Sequence, residues 1–333
     1  MPLVSILMPV YDAAATLPAA LRSISAQSFR DWELIAVNDG SVDASLDLLD
    51  RAARKDRRIR VLTAAHAGIV GALRSAVPLA SAPLLARMDA DDVMHPRRLL
   101  LQVTRLGASP RVDVLATRVR SIGATAEGMR RYVDWQNGLL SHDELVSNFF
   151  VESPIAHPSV LMRRDPFERA GGYQDPGWAE DFDLWHRMRE LGARFEKLPR
   201  ALLSWRDGDG RLTRTHPMYA ERKFYAAKLH FFRRHPLCKS PVTVWGAGPI
   251  GRDWARDLLR AGIDVPRVID IDPRKIGRTI GDGRVKVVSP DEGLSNRTGL
   301  ILGAVGARGA RDLIRARLLK ESLAEGRDFL FVA

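Results

Sequence analysis

The sequence contains almost no cysteine and no apolar run long enough to cross a membrane. Cys238 is the single cysteine among 333 residues, so no disulfide can form within the chain, which suits a reducing compartment. The uncharged apolar run that comes closest to a membrane span, residues 75–86, contains two prolines and is shorter than the roughly 20 residues of a membrane-spanning helix. Residues 1–10 have no basic segment before their apolar residues, so no signal peptide is predicted. We therefore expect a cytoplasmic protein, either free or in peripheral contact with the inner face of a membrane.

Acidic residues are outnumbered by basic ones, and the formal net charge is +11. The basic residues are scattered and do not form the aromatic-interleaved motif that RNA-binding modules carry, so no nucleic-acid partner is expected. A solvated surface, a site for anionic nucleotides and adhesion to an anionic membrane each remain open as explanations. Hydrophobic residues at 46% and charged residues at 27% are ordinary for a globular protein of about two domains.

Strand-like and helix-like segments alternate repeatedly near the start of the chain. The predicted strands cover residues 3–10, 32–37, 60–62 and 83–88, and the predicted helices cover residues 13–27, 46–53 and 68–80. This alternation predicts an α/β fold with a parallel sheet and right-handed crossovers. Each polar cluster falls at the carboxyl end of a strand, where open α/β sheets bind their ligands.

A second domain is predicted toward the carboxyl end of the chain. The region from residue 99 to residue 234 is less regular, with a helix predicted around residues 181–191. A proline-containing stretch then precedes a fresh strand–helix–strand pattern that begins at Val242. We predict a first domain over residues 1–235, a linker over residues 236–241 and a smaller α/β domain over residues 242–333.

Asp89 and Asp91 form the most informative acidic pair. Residues two apart in an extended segment project to the same face, and two carboxylates there repel each other unless a cation lies between them. Oxygen ligands suit Mg²⁺ or Mn²⁺, which keep coordination positions open for substrate phosphates. Asp92 adds a third carboxylate. The alternative is that Asp91 and Asp92 only cap the helix that follows.

Asn38 and Asp39 end the second predicted strand and open a turn over residues 38–43. A carboxylate at this position can accept hydrogen bonds from a nucleotide base edge or a ribose. The alternative is an ordinary turn between a strand and a helix.

Six motifs occur in the order that is typical of family 2 glycosyltransferases, which adopt the GT-A fold. The matching segments are residues 4–12 (VSILMPVYD), 23–35, 38–43 (NDGSVD), 86–92 (ARMDADD), 96–102 (PRRLLLQ), and 155–160 with 171–173 ahead of 179–185 (AEDFDLW). Together they resemble that family over about residues 1–230. The resemblance implies inverting transfer of a sugar from a nucleoside diphosphate, with a UDP-sugar favoured. The acceptor would be a hydroxyl of a glycan, a lipid-linked glycan or a protein, in glycan or surface polysaccharide synthesis.

The resemblance also implies which residues bind the donor. Asp39 would bind the base, with Asn38 beside it in the same motif, and Pro9, Tyr11 and Asp12 would line the pocket. Arg74 departs from the family pattern, because an asparagine often occupies its position. Two interpretations of Arg74 stay open, contact with the diphosphate and exposure to solvent.

Metal binding and catalysis are assigned by the same resemblance. Asp91 would ligate the metal with Asp89 as a second ligand, and Asp89 would also lie near the ribose or the sugar. Asp181 would be the general base that takes the proton of the acceptor hydroxyl, with Glu180 as the rival for that role. The alternative for this acidic pair is that it stabilises the start of a helix. His157 is interpreted either as an acceptor-pocket residue or as a structural one.

Gly246, Gly248 and Gly251 follow a predicted strand and open a predicted helix. Their Gly-x-Gly-x-x-Gly spacing is typical of dinucleotide-binding sites, and Asp270 ends the next strand at about the distance of a ribose-binding carboxylate. This segment resembles a Rossmann-like half-domain. Two interpretations stay open, a structural module and one that binds a nucleotide or a nucleotide sugar.

Three other functional classes compete with the transferase. An NAD(P)-dependent oxidoreductase would use residues 246–270, but no substrate domain follows that motif. A nucleotidyltransferase would need a phosphate-cradling loop near the N-terminus, and residues 9–12 do not form one. A binding protein would keep the motifs without catalysis at Asp181. The lack of membrane spans argues against a processive polymer synthase with its own channel.

Overall fold

The computed structural model describes residues 1–208, 211–281, 283–295 and 297–333. The chain divides into two compact units, the first formed by Met1–Val146 with Pro154–Phe224 and the second by Ser147–Ser153 with Tyr225–Ala333. No helix among the described residues combines the length and the apolar character that crossing a bilayer requires.

An eight-stranded sheet forms the centre of the first unit. Its strands are β1 (Val4–Val10), β2 (Trp32–Asp39), β3 (Ile59–Ala64), β4 (Leu84–Arg87), β5 (Val93–Met94), β6 (Val114–Gly123), β7 (Leu161–Arg163) and β8 (Phe195–Asp207). They lie in the order β3-β2-β1-β4-β7-β6-β8-β5. The first four are parallel, as predicted, whereas β7 is antiparallel to β4 and β6, and β5 is antiparallel to β8. The sheet is therefore mixed and not purely parallel.

Ten α-helices occur between residue 1 and residue 234 among the described residues. They are α1 (Leu17–Ser25), α2 (Ser45–Lys55), α3 (Gly68–Ala76), α4 (Arg98–Ala108), α5 (Glu127–Gly138), α6 (His142–Asn148), α7 (Arg164–Arg169), α8 (Glu180–Glu190), α9 (Leu212–Thr215) and α10 (Glu221–Arg234). β1 and β2 are buried along nearly their whole length, as expected for strands of a parallel sheet that is covered on both faces.

Two helices differ in length from the sequence prediction. α1 begins at Leu17 and not at residue 13, and Pro18 lies in its first turn, where a proline is tolerated. The N–H groups of Ala13 and Ala14 donate to Ser45 Oγ at 2.9 Å and Asp43 Oδ2 at 2.9 Å, which binds the loop before α1 to the segment after β2. α3 ends at Ala76 and not at residue 80, and Val77–Leu79 continue it as a single 3₁₀ turn. Proline at position 78 has no N–H to donate to the carbonyl oxygen of Arg74, so the α-helical hydrogen bonding ends before it.

The second unit contains a smaller six-stranded sheet. Its strands are β9 (Val242–Trp245), β10 (Arg267–Ile269), β11 (Thr279–Ile280), β12 (Val285–Val288), β13 (Leu300–Gly303) and β14 (Phe329–Phe331), and its further helices are α11 (Pro249–Arg260), α12 (Pro290–Ser295) and α13 (Ala310–Lys320). The strand order is β11-β12-β10-β9-β13-β14, and only the β11–β12 pair is antiparallel among the residues that the structure describes. The chain thus has a smaller carboxyl-terminal α/β unit, as predicted.

Candidate functional site

The carboxyl ends of three neighbouring strands bring the predicted donor-site residues to one edge of the first sheet. β1 lies between β2 and β4, with Val10 paired to Asn38 and Leu7 paired to Arg87. The predicted residues at or just beyond these strand ends are Pro9, Tyr11, Asp12, Asn38, Asp39, Asp89 and Asp91. Since the three strands are parallel neighbours, residues far apart in sequence meet at this edge.

Asp12 shapes the loop between β1 and α1. Its backbone has φ 45°, in the left-handed region that residues other than glycine seldom adopt. Its Oδ1 accepts a hydrogen bond from the N–H of Val42 at 2.8 Å, and its own N–H donates to Ser41 Oγ at 3.1 Å. These bonds tie the loop after β1 to the turn after β2, so the two sides of the predicted base pocket are held together.

Asp39 is buried, and its carboxylate is bound by the segment that precedes α3. Its Oδ1 accepts from the N–H of Ala67 at 2.8 Å, and its Oδ2 lies 3.0 Å from His66 Nδ1. The ring of His66 is 4.2 Å from that of Tyr11, which is half exposed. The pair offers an aromatic surface on which a base could stack. His66 is not predicted from the sequence, because a single histidine before a helix carries no distinguishing pattern.

Asn38 is buried beside this surface. Its Oδ1 has no hydrogen-bond partner among the described residues. A buried amide oxygen without a partner is costly in an apolar setting, so a ligand donor or a water molecule is expected there.

Asp89, Asp91 and Asp92 converge as the sequence predicts. Each offers a carboxylate oxygen, and these oxygens lie within 4.8 Å of one another. Asp92 is almost completely buried; its Oδ1 accepts from the N–H of Arg206 at 2.7 Å, and its Oδ2 has no partner among the described residues. Burial and the neighbouring Asp89 raise the pKa of Asp91 to about 6, and burial with both neighbours raises the pKa of Asp92 well above its usual range. A divalent cation would relieve this repulsion and satisfy the free oxygen, so the residues fit a metal ion.

Arg87 links the acidic cluster to the acceptor side of the site. The side chain is buried, and its Nη1 pairs with Asp89 Oδ1. Burial opposes its charge, but the nearby Asp89, Tyr173 and Glu180 raise its pKa above the ordinary value. Arg87 is not predicted from the sequence as a site residue, because an arginine in an apolar strand is not marked by any local pattern.

The segment over residues 96–102 holds the backbone on both sides of the cluster. The buried Arg98 donates from Nη2 to the carbonyl oxygens of Arg87 and Val160, both at 3.1 Å. Gln102 Nε2 donates to the carbonyl oxygen of Ser159 at 2.9 Å. These side chains fix the end of β4 against the segment that follows His157, which gives this motif a structural role.

Glu180 is buried at the start of α8 with both oxygens occupied. His157 Nδ1 lies 3.3 Å from Oε1, and the hydroxyl of Tyr219 donates to Oε2 at 2.7 Å. His157 Nε2 is 3.0 Å from the hydroxyl of Tyr173. Burial alone would raise the pKa of Glu180, but the hydrogen bonds from His157 and Tyr219 lower it overall. Burial and the charge of Arg87 lower the pKa of His157.

Asp181 lies next to Glu180 and is less constrained. It is partly buried, and its Oδ1 accepts from the N–H of Phe182 at 2.7 Å. Burial and the charge of Glu180 raise the pKa of Asp181 to about 8. A carboxylate with a raised pKa is a stronger proton acceptor once it is ionised, which suits a general base.

Arg74 lies on the exposed face of α3. Its contact with a diphosphate stays a prediction.

In the second unit, the glycine motif occupies the turn between β9 and α11. A Cβ on Gly251 would lie 1.8 Å from the carbonyl oxygen of Gly246, whereas one on Gly248 would have no atom within 4 Å. Asp270 Oδ2 accepts from the N–H of Ala247 at 2.7 Å and lies 3.1 Å from Lys275 Nζ. The predicted ribose-binding carboxylate thus also supports the glycine loop.

A cavity of about 780 Å³ opens at the carboxyl ends of β9, β10 and β13. β10 and β13 flank β9 on opposite sides, so the cavity lies where the strand order reverses, the usual ligand position in open α/β sheets. Three apolar side chains at this cavity, Ile250, Ile271 and Leu313, are exposed.

Comparison with known proteins relates the chain to sugar transferases. A protein from Haemophilus influenzae described as an uncharacterized glycosyltransferase is 27% identical over 213 residues, covering 62% of this chain and 65% of its own length, so the chain spans slightly less than two thirds of that relative. The amylovoran biosynthesis glycosyltransferase AmsE of Erwinia amylovora is 28% identical over 207 residues, covering 61% and 76%.

A solved structure has the same fold. The S. aureus protein TarS, crystallised as residues 1–349 with UDP-GlcNAc, matches with a TM-score of 0.57 at 17% identity and covers 71% of this chain and 68% of its own. The family model described as glycosyl transferase family 2 matches residues 5–171, half of the chain. The chain therefore belongs to glycosyl transferase family 2.

Proposed function

We propose that this protein is a metal-dependent, inverting glycosyltransferase that moves a sugar from a nucleoside-diphosphate sugar to a hydroxyl acceptor. The observation that carries the proposal is the cluster of Asp89, Asp91 and Asp92 at the same sheet edge as Asp39. A nucleotide bound at Asp39 and a diphosphate bound at the acidic cluster would belong to one donor molecule.

Asp39 would bind the base of the nucleotide-sugar donor, and the rings of Tyr11 and His66 would be available for stacking on that base. Asn38 Oδ1, which has no hydrogen-bond partner among the described residues, would accept a hydrogen bond from the nucleotide. Asp91 and Asp89 would hold Mg²⁺ or Mn²⁺, which when bound supplies Lewis-acid stabilisation to the leaving diphosphate. A UDP-sugar is the favoured donor, since TarS of the same fold was crystallised with UDP-GlcNAc.

Asp181 would act as the general base. The acceptor oxygen forms a bond to the anomeric carbon as the bond from that carbon to the diphosphate oxygen breaks, and the acceptor proton passes to the Asp181 carboxylate. Glu180 is less suited to the role because His157 and Tyr219 occupy its oxygens. Glu180 would instead hold its own segment in place and raise the basicity of Asp181.

The acceptor would be a sugar hydroxyl in glycan or surface polysaccharide synthesis. The relative AmsE, which is described as an amylovoran biosynthesis glycosyltransferase, supports this class. Lipid-linked and protein-linked glycans are both compatible with a site that needs only one reactive hydroxyl.

Thermal melting tests the donor site. Wild type and Asp91→Ala would be melted with UDP, GDP, dTDP and CDP, each with and without Mn²⁺. A ligand at 100 times its dissociation constant stabilises by about 2.7 kcal/mol, so one nucleotide should raise the melting temperature of wild type only when Mn²⁺ is present. Asp91→Ala should remove that rise. A rise that is independent of Mn²⁺ and survives in Asp91→Ala would refute the metal-dependent donor site.

A second candidate function is nucleotide binding by the carboxyl-terminal unit. The observation that favours it is the 780 Å³ cavity, which is bounded by the glycine loop, Asp270 and exposed apolar side chains. An NAD(P)-dependent oxidoreductase would use this cavity, and NAD(P)H should then raise the melting temperature without metal. Gly248→Ala adds a methyl group where no protein atom is close, so it should weaken nucleotide binding without lowering stability. If Gly248→Ala and wild type respond alike to each nucleotide, the glycine loop does not contact a ligand.

A further inference from the structure

A second cavity in the first unit, of about 460 Å³, is lined by basic side chains and by no acidic one among the described residues. It is lined from α1, β5, β6 and β8, and its polar lining consists of Arg22, Ser23, His95, Arg120 and Ser204. Its volume is within the range of about 300–1,000 Å³ that is usual for small-molecule sites. Among the described residues, none that was assigned to donor binding or to general-base catalysis lines this cavity.

The basic groups of this cavity are not neutralised by any residue that the structure describes. In the part of the chain that the structure describes, none of Arg22, Arg120 and His95 forms an ion pair. Arg120 Nε donates to Ser204 Oγ at 2.7 Å, which orients the guanidinium and leaves its terminal nitrogens available. His95 Nδ1 accepts from the N–H of Arg97 at 3.2 Å, so its proton resides on Nε2, which can donate.

The remaining lining is apolar. It consists of Ala19, Ala26, Val93, Met94, Pro96, Ala201, Leu202 and Leu203. Two arginines and a histidine at the edge of an apolar concavity match an anion attached to an apolar body, because the guanidinium donors fit phosphate oxygens and the apolar walls exclude water.

We propose that this cavity binds a phosphate group that carries an apolar substituent. Arg22 and Arg120 would contact the phosphate with help from His95 Nε2, and the substituent would lie against Val93 and Leu203. Val93 directly follows Asp92 of the acidic cluster, so a ligand here would lie beside the segment that bears the metal ligands. An acceptor on a phosphate-linked apolar carrier would satisfy this chemistry. That link to the acceptor rests on the proposed transferase function, whereas the binding site itself does not.

Calorimetric titration of the full chain with geranyl phosphate tests the site. EDTA is present and nucleotide is absent, so the donor site does not contribute. Removing one arginine that bonds to the phosphate should weaken binding by about tenfold, so Arg22→Gln/Arg120→Gln should bind at least that much more weakly than wild type. Arg51→Gln/Arg54→Gln removes the same charge from α2, away from the cavity, and should bind as wild type does. Equal weakening in both double variants would mean non-specific charge attraction and would overturn the proposal.

Three further ligands distinguish a phosphate on an apolar carrier from a soluble phosphate, and they test whether the apolar walls contribute to binding. Geraniol should not bind, because it lacks the anion. Inorganic phosphate and glucose 1-phosphate should bind more weakly than geranyl phosphate. If glucose 1-phosphate binds as tightly as geranyl phosphate, the site takes a soluble sugar phosphate, and the apolar-body proposal is wrong. Because no step of this titration involves donor or metal, its failure is distinguishable from failure of the transferase assignment.

Discussion

His157 Nδ1 lies 3.3 Å from Glu180 Oε1, and both side chains are almost completely buried. Tyr219 completes the surroundings of this carboxylate through a 2.7 Å hydrogen bond to Oε2. These two interactions keep Glu180 ionised away from water and hold the start of α8, where Asp181 is located.

Tyr219→Phe should destabilise the first unit, because it leaves a buried carboxylate oxygen with one partner fewer. The expected cost is about 1–3 kcal/mol, or about 2–4 °C in melting temperature for each kcal/mol. The pKa of Glu180 is below its ordinary value in the folded state, so the stabilisation is present above that ordinary value and is lost as pH falls through the folded pKa. Calorimetry at several pH values measures both effects. Tyr11→Phe, which changes a half-exposed tyrosine, is the control and should melt as wild type does.

Asp181→Asn should lower kcat by about 10²–10⁴-fold while nucleotide binding is retained, because the amide cannot take the acceptor proton. Since the pKa of Asp181 is raised to about 8, the ionised base becomes more abundant with rising pH, and kcat/KM of wild type should increase through that value. A transfer assay across pH measures this. Asp143→Asn makes the same change in the first turn of α6 at an exposed position and should keep full activity. If Asp181→Asn stays active while Glu180→Gln does not, Glu180 is the base.

Asp91→Asn should stabilise the protein in EDTA and remove the stabilisation by Mn²⁺. The folded state raises the pKa of Asp91 to about 6, so the ionised carboxylate destabilises the folded state as pH rises from its ordinary value through about 6. The gain over wild type should therefore be present above about pH 6 and vanish in acid. Melting curves in EDTA measure the gain in stability, and melting curves in Mn²⁺ measure the lost stabilisation by the metal. A variant that loses stability in EDTA would contradict the repulsion described for this cluster.

Gly251→Ala should destabilise the second unit, whereas Gly248→Ala should not. A Cβ on Gly251 would lie 1.8 Å from the Gly246 carbonyl oxygen, so β9 and α11 would have to move apart, and overpacking of this kind costs about 1–3 kcal/mol or more. A Cβ on Gly248 meets no atom within 4 Å. Chemical denaturation followed by the fluorescence of Trp245 and Trp254 measures the difference. Equal stability of the two variants would mean that the helix does not approach the strand this closely.

The ends of several elements are harder to predict from the sequence than their presence. The alternation of apolar strands and amphipathic helices correctly indicates β1 to β4 and the smaller α/β unit. The predicted start of α1 is too early, because Pro18 lies in the first turn of the helix and the loop before it is bound to Ser45 and Asp43, about 30 residues away in sequence. The mixed directions of β5 and β7 are not predicted either, since strand pairing depends on the path of the whole chain.

The amino-acid sequence is sufficient to identify the family, the order of the motifs and the acidic residues at the strand ends. These are local properties, because residue type and spacing along one strand or turn are sufficient to show them. The packing of the folded chain was needed to show that Arg87 pairs with Asp89, that His66 contacts Tyr11 and that Tyr219 donates to Glu180. It also brought Arg22, His95 and Arg120 from separate elements to one cavity. The physical reason is that nearly all of these contacts join segments that only the order and direction of the strands place side by side.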